Sequence, residues 1–196
     1  MNRKRSIVRI FAIVIIAMLA CVMLPRMNVQ AATAVKVKMT RKYENDSQYF
    51  IIKGLDSAGK KVWKYKTSKC DATELDSARM KVKGKYVYVI DDKKFIRIKK
   101  SNGEVVVKKK FTDDNAIWGT TMLVDEDKNT YAIGYYNSEL YKINKNGKVL
   151  WSRSFDEKYY WATKLTKDGK KLTVTFEGAE YQGNYSVNAE TGKDWK

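Results

Sequence analysis

The chain contains no histidine. That removes the commonest general base, any serine–histidine or cysteine–histidine nucleophile pair, and the commonest metal ligand. Outside the N-terminal apolar run Cys70 is the only cysteine, so thiolate zinc sites are excluded. Carboxylates and lysines remain, and the tightest acidic groups are Asp113-Asp114 and Asp125-Glu126-Asp127. Paired carboxylates can hydrolyse glycosides, and oxygen-rich loops can hold calcium. The second group, however, falls where one strand must turn into the next. The corresponding stretch Thr166-Lys167-Asp168-Gly169-Lys170 lacks the cluster. Both facts point to ordinary turn residues, so no catalytic residue, metal ligand or cofactor is assigned, and a carboxylate-based hydrolase stays as the lesser alternative.

Binding is the other chemistry open to these residues, and the aromatic side chains carry it. Trp63, Trp151 and Trp195 recur with a repeat described below and are expected to pack between its units. Trp118 and Trp161, 43 residues apart, occupy matching loops. Tyr135, Tyr136, Tyr159, Tyr160 and Tyr181 have no counterpart one period away, so no repeated packing need accounts for them. Tyrosine offers a large contact area with a polar tip. The candidate ligand-binding residues are therefore Trp118, Tyr135, Tyr136, Tyr159, Tyr160 and Trp161, with Tyr159-Tyr160-Trp161 beside Trp118 as one patch. A carbohydrate or a peptide suits such a patch; half-buried loop packing is the plainer reading of the same rings.

These residues need a frame, and the glycines supply its spacing. Gly59, Gly103, Gly147 and Gly192 lie 44, 44 and 45 residues apart, each closing a short polar turn before a β-branched or aromatic run. A period of this size marks blades or solenoid units. Alternation of period two, as in Lys85–Ile90 and Lys171–Phe176, reads as strands. Asn102-Gly103, Asn146-Gly147 and Asp168-Gly169 supply the positive φ that hairpin turns require. The reading is an all-β, β-propeller-type domain of about four antiparallel four-stranded blades, over 35–67, 68–111, 112–155 and 156–196. The first blade lacks its innermost strand and the last is clipped at Lys193–Lys196. Leu55, Ile98, Ile143 and Val187 precede the turns and are expected to point into the space between blades, with Asp56, Asn144 and Asn188 capping the turns.

Leu140 to Trp151, with the tryptophan four residues after Gly147, resembles the repeat of the PQQ-like propeller family. Gly54 to Trp63 is similar, and Asn184 to Trp195 keeps Thr191-Gly192-Lys193 with the tryptophan one residue early. The second unit departs, with Val107 where tryptophan is usual. The resemblance covers about 35–196. It implies either a quinone-dependent dehydrogenase or a non-enzymatic envelope scaffold. The dehydrogenase constellation of a vicinal cysteine pair, stacked tryptophan and metal-binding carboxylates is not matched here. The resemblance therefore implies a binding or scaffold role without the cofactor.

Residues 1–31 read as an export signal. Arg3, Lys4, Arg5 and Arg9 precede an apolar run from Ile10 to Leu24, and small residues follow at Ala31, Ala32 and Ala34, the order of a secretory signal peptide. Cleavage is expected after Ala31, with Ala34 as second choice, leaving a secreted or cell-surface domain over 32–196. Cys21 loosely resembles a lipobox cysteine, and a membrane tether is expected only if it is lipidated or the signal is uncleaved. The net charge is +17 for the whole chain, from 39 basic and 22 acidic residues, and lysine dominates. Lysine is a flexible point charge suited to anionic envelope polymers. The basic residues look scattered along the sequence, with no nucleic-acid motif. Expected partners are a protein or glycan at the cell envelope, with self-association through open blade edges and completion of a larger propeller as the structural alternative.

Overall fold

The computed structural model describes residues 32–71, 78–112, 121–134, 139–156, 159, 161–178 and 180–196. The chain divides into two units, Met1–Ala31 and Ala32–Lys196. All described residues belong to the second unit, and the leader helix expected over residues 1–31 lies outside them.

Strand formation follows the local pattern. In β2 (Ser47–Leu55) and β14 (Lys171–Glu177) every second residue is buried, whereas β6 (Tyr86–Asp91) is buried continuously from Val87 to Asp91 and β7 (Lys94–Lys99) at Phe95, Ile96 and Ile98, because the second sheet is covered on both faces. The first sheet is β1 (Lys36–Glu44), β2 and β3 (Lys61–Lys66), with the two-residue β4 (Cys70–Asp71) pairing back onto β2. The second is β5 (Ala78–Lys83), β6, β7 and β8 (Val105–Lys110). The third is β9 (Thr121–Val124), β10 (Thr130–Ile133), β11 (Glu139–Ile143) and β12 (Val149–Ser154). The fourth is β13 (Ala162–Asp168), β14 and β15 (Gln182–Asn188). Every pairing is antiparallel, and no helix occurs among the described residues. This is an all-β, β-propeller-type arrangement of four successive up-and-down sheets.

A register irregularity falls at the same place in the first three sheets, just before Leu55, Ile98 and Ile143. It aligns β1 and β2 with β6 and β7, so among the described residues the first sheet has no counterpart of the innermost strand that β5, β9 and β13 provide in the others. In the fourth sheet the outermost strand is reduced to a single bridge between Val187 and Asp194. The first sheet also runs past residue 67, because Thr67 and Phe50 exchange hydrogen bonds and carry the chain on to β4 beside Ser47 and Gln48.

Three cores lie between consecutive sheets. Ile52 and Trp63 meet Val87, Val89, Ile96 and Ile98. Tyr88, Ile90 and Phe95 meet Met122, Ala132, Tyr141 and Ile143. Tyr131, Ile133 and Leu140 meet Leu172, Val174, Phe176 and Val187. Fully burying one such side chain is worth roughly 1.5–3 kcal/mol, so each sheet is held by its neighbours more than by its own hairpins.

Ile98, Ile143 and Val187 point at the preceding sheet, as expected, and each is fully buried. Leu55 does not follow them and is only half-buried, because among the described residues no sheet precedes the first. Trp195 also departs from expectation, at 40% exposed. Trp63 and Trp151 each lie over the turn glycine of the following sheet, Gly103 and Gly192. Among the described residues no sheet follows the fourth, so Trp195 has no such glycine to cover.

The turn caps fall where the residue types demand. Asp56 Oδ1 accepts from Lys60 N at 2.8 Å. Asn144 Oδ1 accepts from Asn146 N and Lys148 N at 2.9 and 3.0 Å. Asn188 Oδ1 accepts from Glu190 N at 2.8 Å.

Candidate functional site

The innermost strands β5, β9 and β13 lie beside one another and line a cleft of about 350 Å³. Arg79 and Lys81 reach it from β5, Thr121 from β9, and Thr163 and Lys164 from β13, with Met80, Met122 and Leu165 as apolar floor. Among the described residues, three cationic side chains and two hydroxyls line the cleft. Burial and the neighbouring Arg41 guanidinium both lower the pKa of Arg79 from its ordinary value. Thr121 Oγ1 donates to Ala162 O at 3.0 Å, tying β9 to β13. The arrangement can hold an anionic group; it offers no nucleophile paired with a base.

This cleft is not legible in the residue order, because Arg79, Lys81 and Lys164 are unremarkable until the pairing of sheets places their strands side by side. The only signal was position: each lies on the first strand of its unit.

Of the aromatic candidates, Trp118, Tyr135, Tyr136 and Tyr160 lie outside the described residues. Tyr159 is half-buried and joins a set of rings, with centroids 6.0 Å from Phe155, 5.3 Å from Phe176, 4.6 Å from Tyr181 and 5.4 Å from Tyr185. Edge-on contacts of this kind stabilise packing between the third and fourth sheets. Arg153 closes the set, 5.5 Å above Phe155 and 5.3 Å above Tyr185. Its Nη2 donates to Tyr185 Oη at 2.9 Å and pairs with Asp194 at 2.6 Å. The hydrogen bond from Tyr185 to Asp194, with burial, raises the tyrosine pKa. Trp161 is half-buried with a φ of +63°, a left-handed backbone unusual for an aromatic residue, and its carbonyl accepts from Glu177 N at 3.1 Å.

Asp113 and Asp114 lie outside the described residues, while Asp125 and Asp91 are occupied locally. Asp125 accepts from Asn129 N at 2.8 Å, from Asn129 Nδ2 at 3.2 Å and from Tyr131 Oη at 3.2 Å. Beside it, the Ala189 carbonyl accepts from Lys142 Nζ at 2.8 Å, Trp151 Nε1 at 3.2 Å and Tyr131 Oη at 3.3 Å, and burial lowers the Lys142 pKa. Asp91 accepts from Ser68 N at 3.1 Å on each carboxylate oxygen and from Ser68 Oγ at 3.3 Å, and burial raises its pKa.

No family model matches the chain, and no curated protein matches it. Among solved structures, it is similar to KlHsv2 carrying a Gly-Ser linker in place of loop 6CD, with 7% identity and a TM-score of 0.46 over 79% of this chain and 50% of that one. A streptogramin B lyase gives 10% identity and a TM-score of 0.46 over 78% and 60%. CoXyl43, a GH43 β-xylosidase/α-arabinofuranosidase from a compost microbial metagenome, gives 7% identity and a TM-score of 0.36 over 84% and 78%. The chain thus spans about half to three fifths of the length of the first two.

Proposed function

We propose that this protein is an exported, non-enzymatic binding module of the cell surface, and that its ligand is anionic. The observation that carries the reading is the cleft between β5, β9 and β13, which Arg79, Lys81 and Lys164 line together with Thr121 and Thr163. The leader-like residues 1–31 support export. The local use of Asp125 and Asp91 supports a role without acid–base chemistry. An acidic glycan or an anionic polymer end fits the lining; the ring set around Tyr159 serves packing.

The test is a binding screen of acidic and neutral glycans against the wild-type protein and Arg79→Gln/Lys81→Gln. Acidic ligands should be retained by the wild type and lost by the variant. Equal binding by both proteins, or hydrolysis of any glycan in the set, would overturn the reading.

A second reading, a subunit of a larger propeller, is favoured by the missing innermost strand of the first sheet and the single-bridge outer strand of the fourth. A solution mass equal to one chain would remove it.

A further inference from the structure

The first sheet has one face in the first core and one facing outward. On the outward face the register sets Lys38 opposite Lys53, and Lys53 opposite Lys64, in one row across β1, β2 and β3. Lys36, Lys42 and Lys66 flank that row on the same face by strand alternation. Lys36, Lys38, Lys42, Lys64 and Lys66 are exposed, and Lys53 is half-buried. Rows across the strands repeat at about 5 Å and steps along a strand at about 7 Å. Glu44, at the end of β1, lies 3.8 Å from Lys66 and 2.8 Å from Lys69. No ion pair involves Lys36, Lys38, Lys42, Lys53 or Lys64 among the described residues.

These positions have counterparts. The shared irregularity aligns Lys36, Lys38 and Lys53 with Val87, Val89 and Ile96 of the second sheet, all fully buried against the first. Lysine stands in place of valine and isoleucine on the sheet that, among the described residues, no other precedes. Solubility alone would require only a polar face, and the fourth sheet shows what that looks like. Its outer side carries Thr173 paired with Ser186 and Thr175 paired with Asn184. Protecting the β1 edge would also call for lysine, but only on β1, whereas Lys53 lies on the central strand and Lys64 on the far one.

The wider charge distribution agrees. Residues 32–111 hold 22 Lys and Arg against 9 Asp and Glu, while residues 112–196 hold 12 against 13. The whole surplus sits on the first half of the domain.

We infer that the outward face of the first sheet binds a flexible linear polyanion, whose successive charges lie along the lysine rows. Lysine acts here as a point charge that selects charge spacing rather than a planar group. The one aromatic ring on the face, Tyr49, is covered by Lys66 Nζ at 3.9 Å, so it offers no platform for a nucleic-acid base. Ile51 and Leu55 are half-buried beneath the lysines and present no apolar wedge to a bilayer. The inference shares with the proposed function only the premise of an anionic ligand. It concerns a different face, and its variants leave the cleft intact.

The experiment measures binding of long-chain inorganic polyphosphate and of polyglutamate across a salt series. Wild type is compared with Lys38→Gln/Lys53→Gln/Lys64→Gln and with a charge-matched control, Lys145→Gln/Lys148→Gln/Lys171→Gln. Removing three contacts should lower the slope of log K against log salt by about 2 and weaken binding at least about tenfold at physiological salt. The control should change affinity less than about threefold. Equal losses in both triples, or none in the face variant, would overturn the inference. So would tighter binding of single-stranded DNA than of polyphosphate at matched salt, or loss of binding to phosphatidylglycerol vesicles with polymer binding intact. Loss of polymer binding by Arg79→Gln/Lys81→Gln, with the face triple unaffected, would reassign the polymer to the cleft. Thermal unfolding of each variant confirms that the comparison is between folded proteins.

Discussion

Trp63 lies across Gly103. A Cβ at Gly103 would stand 2.6 Å from both Cβ and Cγ of Trp63, and the indole Nε1 donates to the Lys100 carbonyl, three residues before that glycine, at 2.8 Å. Trp151 repeats the relation with Gly192, its Nε1 donating to Ala189 O at 3.2 Å. Val107 holds the same position over Gly147, where a Cβ would come within 3.1 Å of its Cγ1. Gly59, whose sheet follows no other among the described residues, has nothing within 4 Å. The ring or branched side chain of one sheet thus fits the hole left by the missing side chain of the next.

The relation separates two costs of replacing glycine. Both Gly59 and Gly103 have positive φ, at +82° and +78°, so alanine at either carries the left-handed penalty of roughly 1–2 kcal/mol. Gly103→Ala must also displace the Trp63 ring and should cost more than Gly59→Ala in urea unfolding. In a Trp63→Ala background the excess should shrink without vanishing, because alanine keeps the Cβ that would stand 2.6 Å away; Trp63→Ala itself costs roughly 3–5 kcal/mol. An unchanged excess in the double mutant would show that the clash is with something other than the indole.

Asp125 gives a test of structure against chemistry. Asn at this position keeps one acceptor oxygen and turns the other into a donor facing Asn129 Nδ2 and Tyr131 Oη. Asp125→Asn should therefore cost about 1–3 kcal/mol of stability, read from chemical unfolding, and leave ligand retention by the folded protein unchanged. A variant as stable as wild type but altered in function would return Asp125 to the list of chemically active residues.

Alkaline titration should reveal Tyr65. Burial, and secondarily the Asp91 charge, push its pKa up to about 12, against about 10 in the unfolded chain. The unfolded state therefore loses this proton first as pH rises. The stability contributed by the neutral phenol is complete below pH 10 and is lost between about 10 and 12. Urea midpoints measured across that window should fall less steeply for Tyr65→Phe than for wild type. Parallel curves would mean that Tyr65 titrates alike in both states.

The strands, turn glycines and asparagine caps were readable because each rests on neighbours within a few residues. Asn144 can cap its turn whatever lies across the sheet. The failures have the opposite character. Leu55 and Trp195 obey the same local pattern as Ile98 and Trp151, yet each depends on a neighbouring sheet that is not found beside the first or fourth unit among the described residues. Tyr159 looked free because no residue one period away matched it, but its partners Phe176, Tyr181 and Tyr185 come from the following hairpin. The lysines looked scattered because Lys38, Lys53 and Lys64 are 15 and 11 residues apart, and only the register of three strands aligns them.

That alignment should cost the fold some stability. Lys53 faces Lys38 on one side and Lys64 on the other, and like charges directly opposed across strands destabilise a sheet by roughly 0.2–1 kcal/mol each. Lys53→Glu converts both oppositions into attractive pairs. It should raise the melting temperature at low ionic strength, with the gain shrinking as salt is added, because a half-exposed pair is screened. The same variant should bind polyphosphate more weakly. A gain in stability with a loss of binding is what a row of lysines kept for a ligand requires. A variant that melts lower than wild type at low salt would show that Lys53 supports the sheet by contacts other than charge.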